Sequence, residues 1–335
     1  MITLARESRG YNHRDFAVLV DMSNSNLGKI ESGEIGVTQA KLLNIASQAD
    51  YPLHFFFQEG EIKMENLSWK KRRKVPYKLL FPILAKANII TLQVQILNKA
   101  LNPQLIELPT FEISESLTPQ DIAKKVRTLW DLEKITSNSL LKAIEDKGIV
   151  VSEFDFKSTR IDGLSMLTND QRPVIFLNST LDGDKQRFTL AYELGQLIMH
   201  TFFVPDVTLD PSKSANLFAA ELLMPESEMR KEFENGITFQ SLALLKKKWR
   251  VSMIALLYRA DDLGYLTSNQ KRYLIQQFNE RNIRRYEPEE LRILPERPRL
   301  LKFLIGEIRN KGRLTVMDTA NLMCLEIGEF MELYS

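Results

Sequence analysis

Two stretches of this sequence determine how the rest can fold, namely RFTLAYELGQ at residues 187–196 and ANLFAAELLMP at residues 215–225. Both place apolar residues three and four positions apart, the spacing of a helix with one buried side. We therefore predict helices over residues 187–202 and 212–223, the second ended by Pro225. Three short β-type segments precede them and predict a small sheet, at residues 149–151, 163–167 and 174–177.

Most of the remaining chain also has the apolar spacing of helices. We predict helices at residues 2–8, 14–20, 24–31, 39–47, 79–101, 119–132, 140–147, 242–249, 252–263, 268–281, 299–311 and 316–323. The predicted fold class is therefore α+β and mostly helical. Composition shifts and proline-rich breaks predict four units: residues 1–60, a basic linker with a connecting helix at 61–115, a central domain at 116–290, and a C-terminal helical unit at 291–335.

The composition narrows the class of protein. At 335 residues, 44% hydrophobic and 26% charged, the chain is expected to be globular with two or three units. The formal net charge of +2 means that any surface for nucleic acid must be local. The single cysteine, Cys324, excludes an intramolecular disulfide framework and a multi-cysteine zinc site.

The sequence carries no obvious targeting signal. We find no apolar run near the roughly 20 residues that span a bilayer, and the first residues, MITLARESRG, lack the apolar core of a signal peptide. We therefore expect a cytoplasmic protein with no membrane partner. No sequence pattern calls for a cofactor.

The first unit has the layout of two short helices joined by a tight turn. Five apolar residues are spaced to form one shared core: Phe16, Ala17, Val20, Leu27 and Ile30. The second helix then turns a polar face outward, as a DNA-reading helix does. Amide, hydroxyl and ammonium groups can bond base edges, and residues at helix starts can meet phosphates. The candidate DNA-binding residues are His13, Arg14, Ser23, Asn24, Ser25, Asn26 and Lys29.

This first unit resembles the XRE/Cro-like helix-turn-helix family, most closely in residues 27–33, LGKIESG. The resemblance implies binding to a double-stranded DNA operator, commonly as a homodimer. It is weaker earlier, where Asn12-His13 replaces the usual Thr-Gln, and Gly28 weakens the second helix. A small helical bundle used for protein contact is the alternative. The basic run at residues 70–74 could add phosphate contacts or be a solvated linker.

The central domain resembles the ImmA/IrrE family of metallopeptidases, whose members often carry an XRE-type N-terminal domain. The resemblance rests on four motifs in the same order, and it covers about residues 60–290. The motifs are IDG at 161–163, PVIFLN at 173–178, RFTLAYELGQ at 187–196 and ANLFAAELLMP at 215–225. It implies a zincin-like domain, in which a helix bearing the sequence H-E-x-x-H binds zinc.

The ligands that the family uses are replaced in this sequence. Tyr192 and Gln196 stand at the two histidine positions, and Ser214 stands where the third, acidic ligand is expected. Only Glu193, at the general-base position, is retained. Tyr, Gln and Ser are poor zinc ligands at neutral pH, so we predict no metal and no peptidase activity. His200 lies one turn further on, at a position that binds no metal in relatives.

Two roles remain open for Glu193. It is either a relic held by hydrogen bonds, for instance from the Tyr192 hydroxyl, or part of a cleft that still binds a peptide without cutting it. The last unit, from about residue 294, has an apolar face that needs a partner. That partner is the rest of the chain, a second copy or another protein.

The leading hypothesis is a DNA-binding transcriptional regulator whose inactive peptidase-like domain binds protein. In the setting that the resemblance implies, it would be the antitoxin and repressor of a toxin–antitoxin pair, with a toxin as protein partner. One alternative is an active zinc endopeptidase that cleaves a repressor. A second alternative is an interaction scaffold that does not bind DNA.

Overall fold

The computed structural model describes residues 1–59, 75–102, 108–132, 139–203, 209–284 and 287–334, together with the backbone of residues 68–71. Helices make up most of it, as predicted. Short 3₁₀ turns occur at Leu53–Phe57 and Glu289–Leu291. The helices are α1 (Ile2–Ser8), α2 (His13–Leu19), α3 (Asn24–Glu31), α4 (Gln39–Ala49), α5 (Tyr77–Leu101), α6 (Pro119–Leu129), α7 (Leu140–Asp146), α8 (Gly183–His200), α9 (Pro211–Leu223), α10 (Glu226–Phe233), α11 (Phe239–Trp249), α12 (Met253–Asp262), α13 (Ser268–Glu280), α14 (Leu300–Gly312), α15 (Val316–Leu322) and α16 (Ile327–Tyr334).

Short polar side chains fix where several helices begin. The Ser23 hydroxyl accepts a hydrogen bond from the Asn26 backbone N–H at 3.2 Å and so caps α3. Thr118 and Asp121 form a reciprocal capping box at the start of α6. The Asp210 carboxylate accepts the Ser212 backbone N–H at 2.9 Å and starts α9. Caps of this kind explain why the predicted helix boundaries are close to the observed ones.

The sheet lies at the centre of the chain and has the order β1-β3-β4-β2. Strands β2 and β4 are parallel, whereas β3 is antiparallel to both β4 and β1. The short strand β1 lies at the edge beside β3 and also against α8. The strands are β1 (Ser68–Lys71), β2 (Val150–Phe154), β3 (Ile161–Leu167) and β4 (Pro173–Asn178).

The two faces of the sheet belong to two separate cores. On one face, side chains such as Val151, Ile175 and Leu177 pack with α8, α9, α11 and α12. On the other, alternate side chains such as Val174 and Phe176 pack with the N-terminal helices, α5 and α14. Successive strand residues point to opposite faces, and so a strand with both faces covered is apolar throughout. Every residue of β4 is accordingly buried.

The long helix α5 is the centre of the second core. It is the only helix among the described residues that is long and apolar enough to cross a membrane, and 67% of its most apolar window is buried inside the protein. The expectation that no segment of that length exists was therefore wrong. Polar residues such as Lys86, Asn88 and Gln93 interrupt the apolar run in the sequence without much lowering its mean hydropathy.

The C-terminal helices pack against the N-terminal ones. Arg9 forms a two-fold contact with Glu329 of α16, with Nη1–Oε1 and Nη2–Oε2 distances of 3.0 and 2.7 Å. The same guanidinium donates to the Ala49 carbonyl at 2.8 Å and lies over the Tyr51 ring. His54 Nε2 is 2.6 Å from the Asn321 carbonyl. Of the three partners considered for this unit, the structure places the rest of the chain against its apolar face.

The proline-rich segment before α14 is fastened to the start of α8. The Gly183 backbone N–H donates to the Ile293 carbonyl at 2.8 Å, and a Cβ at Gly183 would lie 2.3 Å from the Leu294 oxygen. Gln186 and the backbone of Glu296 exchange two hydrogen bonds of 2.7 Å. This segment therefore packs on the central domain.

Lys246 differs from the sequence-based expectation. The apolar spacing of residues 242–249 predicts that Lys246, Lys247 and Lys248 lie on the outside of the helix, but Lys246 is only 2% exposed. Its ammonium lies 2.6 Å from Asp184 and 2.8 Å from Glu287. Burial opposes the charge, yet the contacts with the two carboxylates outweigh it and raise the pKa of Lys246. The burial of Lys246 could not be predicted from local spacing, because the carboxylates that stabilise its charge come from distant positions in the sequence.

Besides the two 3₁₀ turns, three of the described elements were not predicted, namely β1, α10 and α16. Lys70 and Lys71, the first residues of the basic run, lie in β1, whereas residues 72–74 lie outside the described residues. A four-residue strand gives too short a pattern to recognise, and its pairing partner β3 lies about 90 positions further on. The start of α10 follows Pro225 directly, so the proline that ends one helix also opens the next.

Helix α8 touches α9 so closely that Gly195 has no room for a side chain. A Cβ at Gly195 would lie 2.7 Å from Cδ1 of Phe218. We predict that Gly195→Ala lowers the free energy of unfolding by about 1–3 kcal/mol, because the two helices must move apart. Urea denaturation followed by circular dichroism measures this.

Gly306→Ala is the matched control, since Gly306 also lies within a helix, α14, but has open space around its Cα. This change should stabilise the protein by about 0.5–1 kcal/mol through better helix propensity. Equal effects of the two substitutions would contradict the close helix contact.

Candidate functional site

Helix α8 is pressed onto strand β3 as well as onto α9. A Cβ at Gly163 would lie 2.6 Å from Thr189 Cγ2 and 2.9 Å from the Phe176 carbonyl oxygen. It would also lie 3.6 Å from Cγ of Glu193. The predicted motif residues therefore meet in one place, where β3, α8 and α9 come together.

Glu193 is fully buried beneath this contact. Its Oε2 accepts a hydrogen bond from the Ser165 hydroxyl at 2.9 Å. Ser165 is a site residue that the sequence reasoning missed. The available signal was its position two residues after Gly163 on the same strand, which places both residues on the face toward α8. A carboxylate excluded from water needs such a donor, since an unpaired one would be costly.

Tyr192 and Gln196 are joined to each other one turn apart on α8. The Gln196 amide donates to the Tyr192 hydroxyl at 3.0 Å and lies 3.4 Å from the Pro211 carbonyl. Ser212 also bonds the phenol, and burial raises the pKa of Tyr192, so the phenol stays protonated at neutral pH. The suggested bond from the Tyr192 hydroxyl to Glu193 stays a prediction.

Ser214 lies at the start of α9, where its hydroxyl donates to the Asp210 carbonyl at 3.2 Å. The groups brought together at this point are thus a phenol, an amide and a hydroxyl, each engaged in hydrogen bonds within the protein. Zinc sites are built from imidazole, thiolate and carboxylate ligands. Among the described residues, no group of three His, Cys, Asp or Glu side chains could hold a metal ion. The donor set therefore does not fit zinc.

His200 lies at the end of α8 with its Nε2 atom buried and without a hydrogen-bond partner in the described part of the chain. Burial alone lowers the pKa of this imidazole below its usual value. The side chain is therefore neutral at physiological pH. The imidazole also lies two turns from Tyr192, so it does not complete a metal-binding set.

A cleft of about 1280 Å³ opens above the Tyr192 ring, between α8, α9 and α12. Its apolar part consists of the half-buried Phe188, Leu217 and Ile254, and of Tyr258, which is 38% exposed. Charged side chains surround these four. Arg160, Lys213 and Arg284 are exposed, and Lys185 is half-buried.

The cleft carboxylates are mostly engaged within the protein. Asp184 and Glu287 contact the buried ammonium of Lys246. Asp162 is 3% exposed, and Asp210 caps α9. Asp262 is exposed at the end of α12. The exposed charges around the cleft are therefore three basic side chains and two carboxylates, and the Asp210 carboxylate is also occupied as the cap of α9.

The N-terminal candidate residues lie on α2, on α3 and in the turn between them. Asn24, Ser25, Asn26 and Lys29 are all exposed on α3, and Arg14 is exposed on α2. Ser23 is occupied as the cap of α3.

His13 is directed into the helix pair, with Nδ1 2.6 Å from the Asn24 amide oxygen and Nε2 3.8 Å from Glu31. It thus ties α2 to α3, a role that the sequence pattern did not suggest. Arg6 of α1 also holds α3, through contacts of 2.7 and 3.1 Å with the two Glu31 oxygens. The orientation of α3 is therefore fixed from two sides.

Comparison with known families supports the central assignment. Residues 144–261 match the family described as the IrrE N-terminal-like domain. This match confirms the predicted ImmA/IrrE resemblance for that region, which includes β2 to β4 and α8 to α12. No curated protein matches the chain. The helix-turn-helix resemblance of the first unit stays a prediction.

We predict that restoring the family's ligands creates a zinc site. The triple variant Tyr192→His, Gln196→His and Ser214→Glu should bind about one zinc ion per chain, because two imidazoles four residues apart and a carboxylate then converge. Elemental analysis after dialysis measures the bound zinc. The double variant without Gln196→His is the control and should bind far less. A folded triple variant that stays free of zinc would show that these positions are misassigned.

A second prediction concerns His200. Its pKa is lowered from 6.5 by burial, so below about pH 6.5 the unfolded chain binds more protons than the native one at this residue. The free energy of unfolding should therefore fall as the pH decreases from about 7.5 to about 5.5. In His200→Gln this decrease should be smaller. Urea midpoints of both proteins at the two pH values measure the difference, and equal pH dependence would contradict the prediction.

Proposed function

We propose that this protein is a DNA-binding transcriptional regulator whose peptidase-like domain binds a protein partner without cleaving it. The observation that carries the DNA-binding part is the exposed polar face of α3. Asn24, Ser25, Asn26 and Lys29 project from one short helix that follows α2 after a tight turn. A helix with this exposure fits the major groove, where amide side chains pair with adenine and lysine reaches guanine or phosphate.

The charge of the first unit limits how such binding can work. Residues 1–59 contain five basic residues and seven acidic ones, so the unit is acidic overall. Two of the basic residues, Arg6 and Arg9, are engaged with Glu31 and Glu329. Arg14, Lys29 and Lys41 are exposed. With three phosphate contacts, a plot of the logarithm of the DNA-binding constant against the logarithm of the salt concentration would have a slope of roughly −3 per chain. Because this electrostatic contribution is small, base contacts made by α3 would have to supply much of the affinity.

The central part of the proposal rests on the residues around Glu193. A general base for a zinc-bound water needs the metal beside it, and the phenol, amide and hydroxyl found there suit hydrogen bonding better than zinc. Glu193 is also fully buried and bonded by Ser165. A domain of this kind retains its shape and its cleft, which are sufficient for holding another protein.

The narrower form of the proposal is an antitoxin that represses its own operon as a cytoplasmic homodimer while its peptidase-like domain holds a toxin. The loss of zinc ligands agrees with this, because a neutralising protein needs only to bind. Purification from the native host separates the possibilities. A stoichiometric protein partner that survives nuclease treatment supports the antitoxin, and stoichiometric zinc with activity lost in Glu193→Ala supports the endopeptidase alternative.

We predict that genomic DNA fragments selected on the full-length protein share one operator sequence. Asn26→Ala should weaken binding to that operator by about 5- to 150-fold, which corresponds to about 1–3 kcal/mol for a lost base contact. Lys29→Ala should reduce the salt slope by about 0.9 if it contacts phosphate. Fluorescence anisotropy at several salt concentrations measures both effects.

Lys311→Ala, which removes an exposed lysine from α14, is the matched control and should leave affinity and salt slope unchanged. If no fragment is enriched, or if all three variants bind alike, α3 does not read DNA and the scaffold alternative is favoured.

A further inference from the structure

We propose that the cleft between α8, α9 and α12 holds a segment of a partner protein that carries an apolar anchor residue flanked by carboxylates. This inference rests on the protein-binding part of the proposed function and names the chemistry of the partner. Three features of the cleft support it, namely its floor, its rim and the position of its acidic groups.

The floor of the cleft is closed by the substitutions at the zinc-ligand positions. The Tyr192 ring lines the cleft, and its hydroxyl is bonded to Gln196 and Ser212. Glu193 has no exposed surface. Tyr192 is itself only 2% exposed, so a bound segment would rest on the half-buried apolar side chains around it, with the Glu193 carboxylate enclosed beneath.

The apolar surface is the right size for one or two anchor residues. Phe188 of α8, Leu217 of α9 and Ile254 of α12 are half-buried, and Tyr258 of α12 is 38% exposed, so the three helices each contribute apolar surface to the cleft. Covering a side chain of the size of Leu or Phe on such a surface yields about 1.5–3 kcal/mol. This is too little for stable binding, so further contacts must come from the rim.

The rim supplies basic groups that would pair with carboxylates. Lys213 lies exposed at the start of α9, and Arg160 lies exposed before β3. Arg284 donates to the Tyr258 hydroxyl at 3.3 Å, which places its guanidinium beside the apolar floor. A planar guanidinium in this position can bind a carboxylate with two parallel hydrogen bonds. An anchor residue on the floor thus has cations within reach on both sides.

The acidic groups of the cleft favour a peptide over a nucleic acid as the bound molecule. Asp210 and Asp262 are exposed on the cleft wall and repel any negative group placed beside them, so a phosphate backbone, with a charge on every unit, fits poorly. A peptide carries few and separate charges, so its carboxylates can lie beside Lys213 and Arg284 instead. It can also place its backbone N–H groups against Asp210 and Asp262. Single-stranded nucleic acid also prefers a continuous basic groove, whereas these basic side chains surround a concave cleft. An acidic peptide with an apolar anchor is therefore the occupant that fits.

The test is selection of a phage-displayed random peptide library on immobilised full-length protein. We expect enriched peptides to share a Leu, Ile, Phe or Met flanked by Asp or Glu. Binding of the enriched synthetic peptide should fall at least tenfold in the double variant Lys213→Glu/Arg284→Glu. A peptide with its carboxylate residues exchanged for lysine should regain binding to that variant. Lys311→Glu, on α14, is the control and should bind the original peptide normally.

Enrichment of basic or purely apolar peptides, or equal binding by the cleft variant, would overturn the inference. Competition by single-stranded DNA for the same site would also overturn it. Anisotropy with the selected operator, measured on the same variants, separates this result from the DNA-binding proposal. The cleft variant should retain its affinity for the operator. If it loses only peptide binding, the result bears on the cleft. If the unmodified protein binds no operator, the result bears on the proposed role of α3.

Discussion

The alternation of side chains along the two parallel strands governs how this protein is built. Residues that follow one another in β2 and β4 enter different cores, one formed with α8 and α9 and the other with α5. Neither core can be assembled without the sheet, because each would expose one apolar face of it to water. A shift of one residue in the β2–β4 register would exchange the two sets of side chains. The N-terminal and C-terminal helices thus depend on the same four-stranded sheet as the peptidase-like domain.

Close contact between the sheet and α8 determines the character of the site. Glycine at positions 163 and 195 lets α8 approach β3 and α9 without an intervening side chain. Glu193 is enclosed as a result, and Ser165 supplies its hydrogen bond. Buried polar groups of this kind favour one arrangement strongly, because any alternative would leave a donor or an acceptor unpaired. Hydrogen bonds among Tyr192, Gln196 and Ser212 order the neighbouring part of the site.

Local patterns predicted most helices and the three longer strands, and they singled out Tyr192, Gln196 and Ser214 as candidate site residues, since spacing and motifs are visible within a few residues. The partners of those residues were not predictable in the same way. Ser165 meets Glu193 across 28 positions, and Lys246 meets Asp184 across 62. Such pairs depend on how whole elements pack, and no local periodicity records them. The strand β1 was missed because four residues are too few for a pattern. The helix α5 was predicted, but its apolar length was underestimated because polar residues interrupt the apolar run.

The contact between Arg9 and Glu329 joins two helices that are 320 positions apart. During synthesis on a ribosome, α1 emerges long before α16. The contact of α1 and the end of α4 with α16 can therefore form only when nearly all of the described chain has been made. At about 5–20 residues per second the interval between the synthesis of α1 and that of α16 is roughly 16–64 seconds. The apolar surface that α14 to α16 later cover stays exposed for that time. The second core is therefore completed only after the residues of these three helices have been synthesised.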